Sequence, residues 1–89
     1  MKYESMNDNA INVEVDRYLS AISGEMRQAY DLSKPKHWGA LAKSNKISVV
    51  YIEDKVMAFC YFGCLSNEWA DGDIGRAVSI CYLRMMKSK

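Results

Sequence analysis

At 89 residues and 10.2 kDa, with 49% hydrophobic residues, 26% charged residues and a formal net charge of +1, the chain has the composition of a single soluble globular domain. These figures exclude an acidic disordered tail, a collagen-like repeat and a strongly basic nucleic-acid coat. A domain of this size buries only about 60% of the surface of its unfolded chain, so self-association is one route to a larger core.

The first predicted element is an α-helix over about residues 10–32. Ile11, Val15, Tyr18, Leu19, Ile22, Met26, Ala29 and Tyr30 recur at spacings of three and four, which makes one apolar stripe. Asn7, Asp8 and Asn9 are candidate N-caps, because their short side chains can accept hydrogen bonds from the first free amides. Gly24 weakens the interior, and Pro35 ends the helix by pushing Lys34 out of helical geometry. Residues 33–46 then form a connection, and its middle, 37–43, has the composition for one or two helical turns.

Two β-rich runs follow, Ile47–Ile52 and Val56–Phe62, joined by Glu53, Asp54 and Lys55 as a β-hairpin. Both faces of this ribbon are apolar, and a two-stranded ribbon of that kind does not stand alone in water. Either helices cover both faces in a three-layer sandwich, or helices pack on one face and leave the other for a partner. Residues 63–72 are expected to be a loop with turn residues at both ends. The last element, a helix over about 73–87, carries Ile74, Ala77, Val78, Cys81, Tyr82 and Met85 as its stripe, with Asp71 or Asp73 as cap. The fold class expected is α+β in the order α-β-β-α, as one domain over 1–89, dimeric or complexed.

No stretch reaches the roughly 20 apolar residues of a membrane span, and the N-terminal residues lack the apolar core of a secretory signal. The cysteines Cys60, Cys64 and Cys81 are odd in number and two of them follow an apolar run, so they read as reduced core thiols in a cytoplasmic protein. A nucleophilic site of Cys64 with His37, the sole histidine, lacks any sequence feature that would bring the two together. A metal set of Cys60, Cys64, Cys81 and His37 is disfavoured because residues four apart on a strand lie about 13 Å apart. The stretch 67–78 fails as a calcium loop, with Trp69 and Val78 where oxygen ligands are required. Gly72-Asp73-Ile74-Gly75-Arg76 fails as a phosphate loop, since acids stand where the anion would sit. No cofactor is expected.

Charge is unevenly distributed: residues 1–33 carry net −3, residues 34–55 net +3 and residues 56–89 net +1. The basic middle, with Lys34, Lys36, Lys43 and Lys46 around His37 and Trp38, suits an acidic protein surface or a nucleic-acid backbone with a stacked base. The near-neutral overall charge favours the protein. Trp38, Trp69, Tyr30, Tyr51, Tyr61 and Met57 are many large side chains for so small a core, and such residues concentrate in interface centres. The expectation is a non-enzymatic protein-binding protein with Lys34, Lys36, His37, Trp38, Lys43, Lys46 and Trp69 at its contact surface, capable of forming a homodimer. The alternative is a small nucleic-acid binder using the basic segment 34–46.

The closing segment Ile74-Gly75-Arg76-Ala77-Val78-Ser79-Ile80-Cys81-Tyr82-Leu83-Arg84-Met85 resembles the last helix of small phage- and prophage-encoded accessory proteins, in which a strand pair precedes a helix of similar pattern. The resemblance covers residues 74–85 and does not extend to the N-terminal helix. It implies a phage accessory protein, a class that includes anti-CRISPR-like inhibitors of bacterial defence complexes, and it transfers no site residues.

Overall fold

The computed structural model describes residues 5–23, 29–62 and 65–88. Its elements in chain order are α1 (Asp8–Ser23), α2 (Pro35–Asn45), β1 (Ser48–Ile52), β2 (Lys55–Phe62), β3 (Leu65–Asp71) and α3 (Ile74–Ser88). The class is α+β, as the patterning implies.

Helix α1 starts where the caps predict, with Asn7 Oδ1 accepting the Ala10 amide at 2.8 Å. It does not run to residue 32. Residues 29–31 are non-helical, and residues 24–28, including Gly24, lie outside the described residues. The reason is a tertiary contact: Asn12 and Asp16, one turn apart on α1, take backbone amides from the returning chain. Asn12 Oδ1 accepts the Leu32 amide at 2.8 Å and Asp16 Oδ1 the Tyr30 amide at 3.2 Å. The segment 29–32 is thereby latched along α1 in the opposite direction, and its apolar Tyr30 and Leu32 enter the core at 6% and 2% exposure.

The connection expected over 33–46 is instead the full helix α2. Pro35, read from sequence as a terminator, is the first residue of this helix, where its missing N–H costs nothing. Lys34 before it is extended (φ −101, ψ 117), as a pre-proline residue must be. The helix closes with Lys46 in the left-handed region (φ 56) and the Ile47 amide donating to the Ala42 carbonyl at 2.9 Å, a Schellman closure.

The hairpin is present, with β1 and β2 antiparallel and Val50 opposite Met57; Glu53 in its turn also has positive φ, 54°. The loop expected over 63–72 is corrected: residues 65–71 are β3, antiparallel to β2, and the sheet order is β1-β2-β3. Its polar composition, with one aromatic at Trp69, conceals a strand that β2 specifies by pairing on its free edge.

Helix α3 lies against one face of this sheet on β2 and β3, while α1 and α2 pack on α3. Seven consecutive residues, Ala77 to Leu83, are 0–1% exposed, and Met85 is 3% exposed. The single stripe read from sequence is therefore an all-round apolar helix, the pattern of a helix enclosed on every side. Ala58 and Cys60 of β2 face it, and the opposite sheet face holds Val50 and Ile52, 43% and 45% exposed, with half-buried Met57 and Phe59. The sandwich with helices on both faces is not formed, and the arrangement with one open sheet face is. No described helix is long and apolar enough to cross a membrane.

Candidate functional site

The expected contact residues distribute over α2, its two ends and β3. Lys36 and Lys43 are exposed and seven residues apart in α2, which places them on one helical face about 10 Å apart. Lys34 at the N-cap and Lys46 at the C-cap are exposed as well, and α2 contains no acidic residue. The structure thus puts Lys36 and Lys43 on one face of α2, with Lys34 and Lys46 exposed at its two ends.

His37 has a local task. Its Nδ1 accepts the Asp31 amide at 2.9 Å, and its ring lies 6.1 Å from that of Tyr30. This bond fixes the hydrogen of a neutral ring on Nε2 and ties α2 to the latched segment. The Asp31 carboxylate lies below the ordinary range because the Ser33 hydroxyl and amide donate to it at 2.7 and 3.0 Å, with Lys34 and His37 adding a smaller contribution.

The two tryptophans are not brought together. Trp38 is half-buried against the core, with its Cδ1 2.9 Å from where a Cβ on Gly75 would stand, at the start of α3. Trp69 is half-buried beneath the Arg84 guanidinium, 5.6 Å from the ring centroid, and its Nε1 donates to Asp71 Oδ2 at 3.4 Å. Gly75 and Arg84 are nine residues apart on α3, roughly 14 Å along the axis, so the tryptophans cannot form one anchor cluster.

Sequence reasoning missed Arg76. Its Nε donates to Asp71 Oδ2 at 3.0 Å, Nη1 to Asp8 Oδ1 at 2.9 Å and Nη2 to the Met6 carbonyl at 2.7 Å. The guanidinium joins the ends of β3, α1 and α3 with only 15% of its side chain exposed. The signal available was the acid pair Asp71 and Asp73 around a helix start; Asp73 Oδ2 caps α3 by accepting the Arg76 amide at 2.9 Å.

Between α3 and the sheet, the Cys81 thiol donates to Cys60 Sγ at 3.9 Å, and Cys60 donates to Met85 Sδ at 3.5 Å. Burial, then the neighbouring Cys60, pushes the Cys81 thiol up to about 12. Cys60 and Cys81 are buried thiols outside any disulfide, while Cys64, the candidate nucleophile considered with His37, lies outside the described residues. No group of three or more His, Cys, Asp or Glu side chains forms a metal-sized cluster among the described residues. The Tyr30 hydroxyl meets Ser79 Oγ at 2.6 Å, Ser79 donates to the Gly75 carbonyl at 2.6 Å, and burial pushes the Tyr30 phenol up to about 12.

Three exposed side chains of β1, two on the open sheet face and Tyr51 on the other, were not singled out from the sequence. Val50, Tyr51 and Ile52 are 43%, 74% and 45% exposed, and Val13 is the other exposed large hydrophobic among the described residues. Tyr51 was legible as one of a surplus of aromatics. Compared with known proteins, the chain matches no family model, no curated protein and no solved structure. The segment 74–85 is mostly buried core.

Proposed function

We propose that this chain is a non-enzymatic protein-binding module that docks α2 on an acidic surface of a partner. The observation that carries this reading is the set of four exposed lysines, Lys36 and Lys43 on one face of α2 and Lys34 and Lys46 at its ends, on a helix without a single acid. A set of charges of one sign steers and orients an encounter more than it adds affinity, and the remaining contact must come from nearby apolar surface. The strand that directly follows α2 supplies such surface in Val50 and Ile52 on the open sheet face, with Tyr51 exposed on the other face. The tryptophans have a smaller part, since Trp38 and Trp69 each pack within the molecule. A phage-encoded inhibitor that occupies a bacterial defence complex fits this mode of action and makes such complexes the first partners to assay.

The test is a tagged pull-down from bacterial lysate, with and without nuclease, using the natural chain and a Lys36→Glu/Lys43→Glu variant. The expected result is a near-stoichiometric protein that survives nuclease and is lost with the variant. Capture that ignores the charge reversal overturns the reading. Nucleic acid in place of protein, released steeply as salt rises, selects the second reading, in which the same lysines contact phosphates.

A further inference from the structure

The seam between α3 and the sheet gathers sulfur from two elements. Cys60 stands on the face of β2 that α3 covers, and Cys81 and Met85 are one turn apart on α3, so their side chains share a face of that helix. Cys60 Sγ lies 3.9 Å from Cys81 Sγ and 3.5 Å from Met85 Sδ. All three residues are closed to solvent, at 2%, 0% and 3% exposure. A buried cysteine by itself packs as a small hydrophobe. What exceeds packing here is the convergence of two thiols and a thioether at the spacing of ligands around one atom.

We propose that Cys60, Cys81 and Met85 form a three-coordinate site for a soft monovalent metal ion of the Cu(I) class. Two metal–sulfur bonds of about 2.3 Å at a trigonal angle of about 120° hold their sulfurs about 4.0 Å apart, which is the spacing of Cys60 and Cys81. The same bond length across the 3.5 Å between Cys60 and Met85 closes that angle to about 100°. The donor set selects the metal. Thiolate and thioether are soft ligands that suit Cu(I), and no described His, Asp or Glu joins the two cysteines as a third ligand. A closed zinc site takes four thiolate, imidazole or carboxylate donors, and calcium and magnesium take oxygen, so this set serves none of them. Met85 thus stands where the metal set considered from sequence had Cys64 and His37, and His37 is engaged with the Asp31 amide. On binding, two thiolate bonds and one thioether bond form, the two thiol protons leave to water, and no electron is transferred. One negative charge remains on the site, opposed by Arg84 on the same helix. Burial and the neighbouring Cys60 hold the proton on Cys81, Arg84 favours the thiolate, and Glu68 works against it. This inference goes beyond the binding role proposed for α2 and does not depend on it.

Anaerobic titration of the reduced full chain with Cu(I), against a chromogenic Cu(I) chelator, tests the site. Because the sulfurs are closed to solvent, the chain is loaded while it refolds from urea. The expected result is one ion per chain, with a thiolate-to-copper absorption in the ultraviolet and the circular dichroism of the metal-free fold. Cys60→Ala and Cys81→Ala should each weaken binding by about a hundredfold, and Met85→Leu by about tenfold. Met85→Leu conserves core volume, so its result stands even where an alanine variant fails to fold. Cys64→Ser should bind as the natural chain does, and the chain held in urea should bind about tenfold more weakly or worse. A natural chain that takes up no ion overturns the proposal. So does binding that ignores Cys81→Ala or Met85→Leu, that is lost with Cys64→Ser, or that is equally tight in urea. Failure of the titration leaves the pull-down with Lys36 and Lys43 variants intact, and failure of the pull-down leaves the titration intact.

Discussion

Arg76 holds three chain segments through one guanidinium, and the acids that rule out a phosphate site beside it are the groups that receive it and cap its helix. Replacing it by alanine takes the charge partner from the partly buried Asp71 carboxylate, which keeps the Trp69 Nε1 and Asp73 amide donors, and Arg76→Ala is expected to cost about 2–4 kcal/mol in urea unfolding. Arg76→Lys should recover little, since an ammonium lacks the fork that reaches three acceptors. Tyr30 has a pH signature. Its phenol is raised from 10.0 to about 12 by burial, so the folded state opposes its ionisation. A group raised in the fold adds stability that is complete below pH 10 and lost as pH climbs through about 12. Some 2–3 kcal/mol should disappear over that window, and Tyr30→Phe should flatten the decline at a cost of about 1 kcal/mol at neutral pH. Cys81, raised for the same reason, moves stability in the same direction. Native alkylation at neutral pH is expected to spare Cys60 and Cys81 and to modify both in denaturant, as read by mass spectrometry. The reading of these cysteines as core thiols was legible because they follow an apolar run; their mutual contact was not, because no local pattern records a pairing across elements.

At the scale of elements, two glycines separate space from strain. A Cβ on Gly75 would stand 1.9 Å from the Leu32 carbonyl oxygen, whereas one on Gly39, inside α2, would meet nothing within 4 Å. Gly75→Ala must therefore displace the latched segment and should cost 3 kcal/mol or about that, while Gly39→Ala should stabilise by roughly 0.5–1 kcal/mol through helix propensity. Lys46 and Glu53 present the converse case, side chains at φ 56 and 54 where glycine is usual. Lys46→Gly and Glu53→Gly are each expected to raise stability by about 1 kcal/mol in thermal or urea unfolding. The hairpin and α3 were legible because their patterns are long and regular. Helix α1 was overextended because Ala29 and Tyr30 keep the helical period after the chain has turned back, and the side chains of Asn12 and Asp16 decide that turn from more than a dozen residues away. Pro35 was misjudged because the same residue ends one helix and begins another, and sequence alone leaves open which. Strand β3 was missed because a strand recruited by its neighbour needs little β-propensity of its own.

For the whole molecule, the two apolar faces of the hairpin were the most informative feature of the sequence. On β2 one face is covered by α3 and the other is open, so the requirement for a cover on both was half met within the chain. The lysines were legible as charge but not as a helix, and their placement came from Pro35 and the Schellman turn. The enclosure of α3 also fixes an order of events during synthesis. The helices α1 and α2 and the inner sheet face share α3 as their common packing partner, and it is the last of the six elements to leave the ribosome. Until residues 74–88 emerge, α1, α2 and the inner sheet face lack their common packing partner, and the nascent chain is expected to hold no stable partial fold. Release of α3 and acquisition of structure should therefore coincide, as one all-or-none step in which proteases and chaperones lose access to the entire chain together.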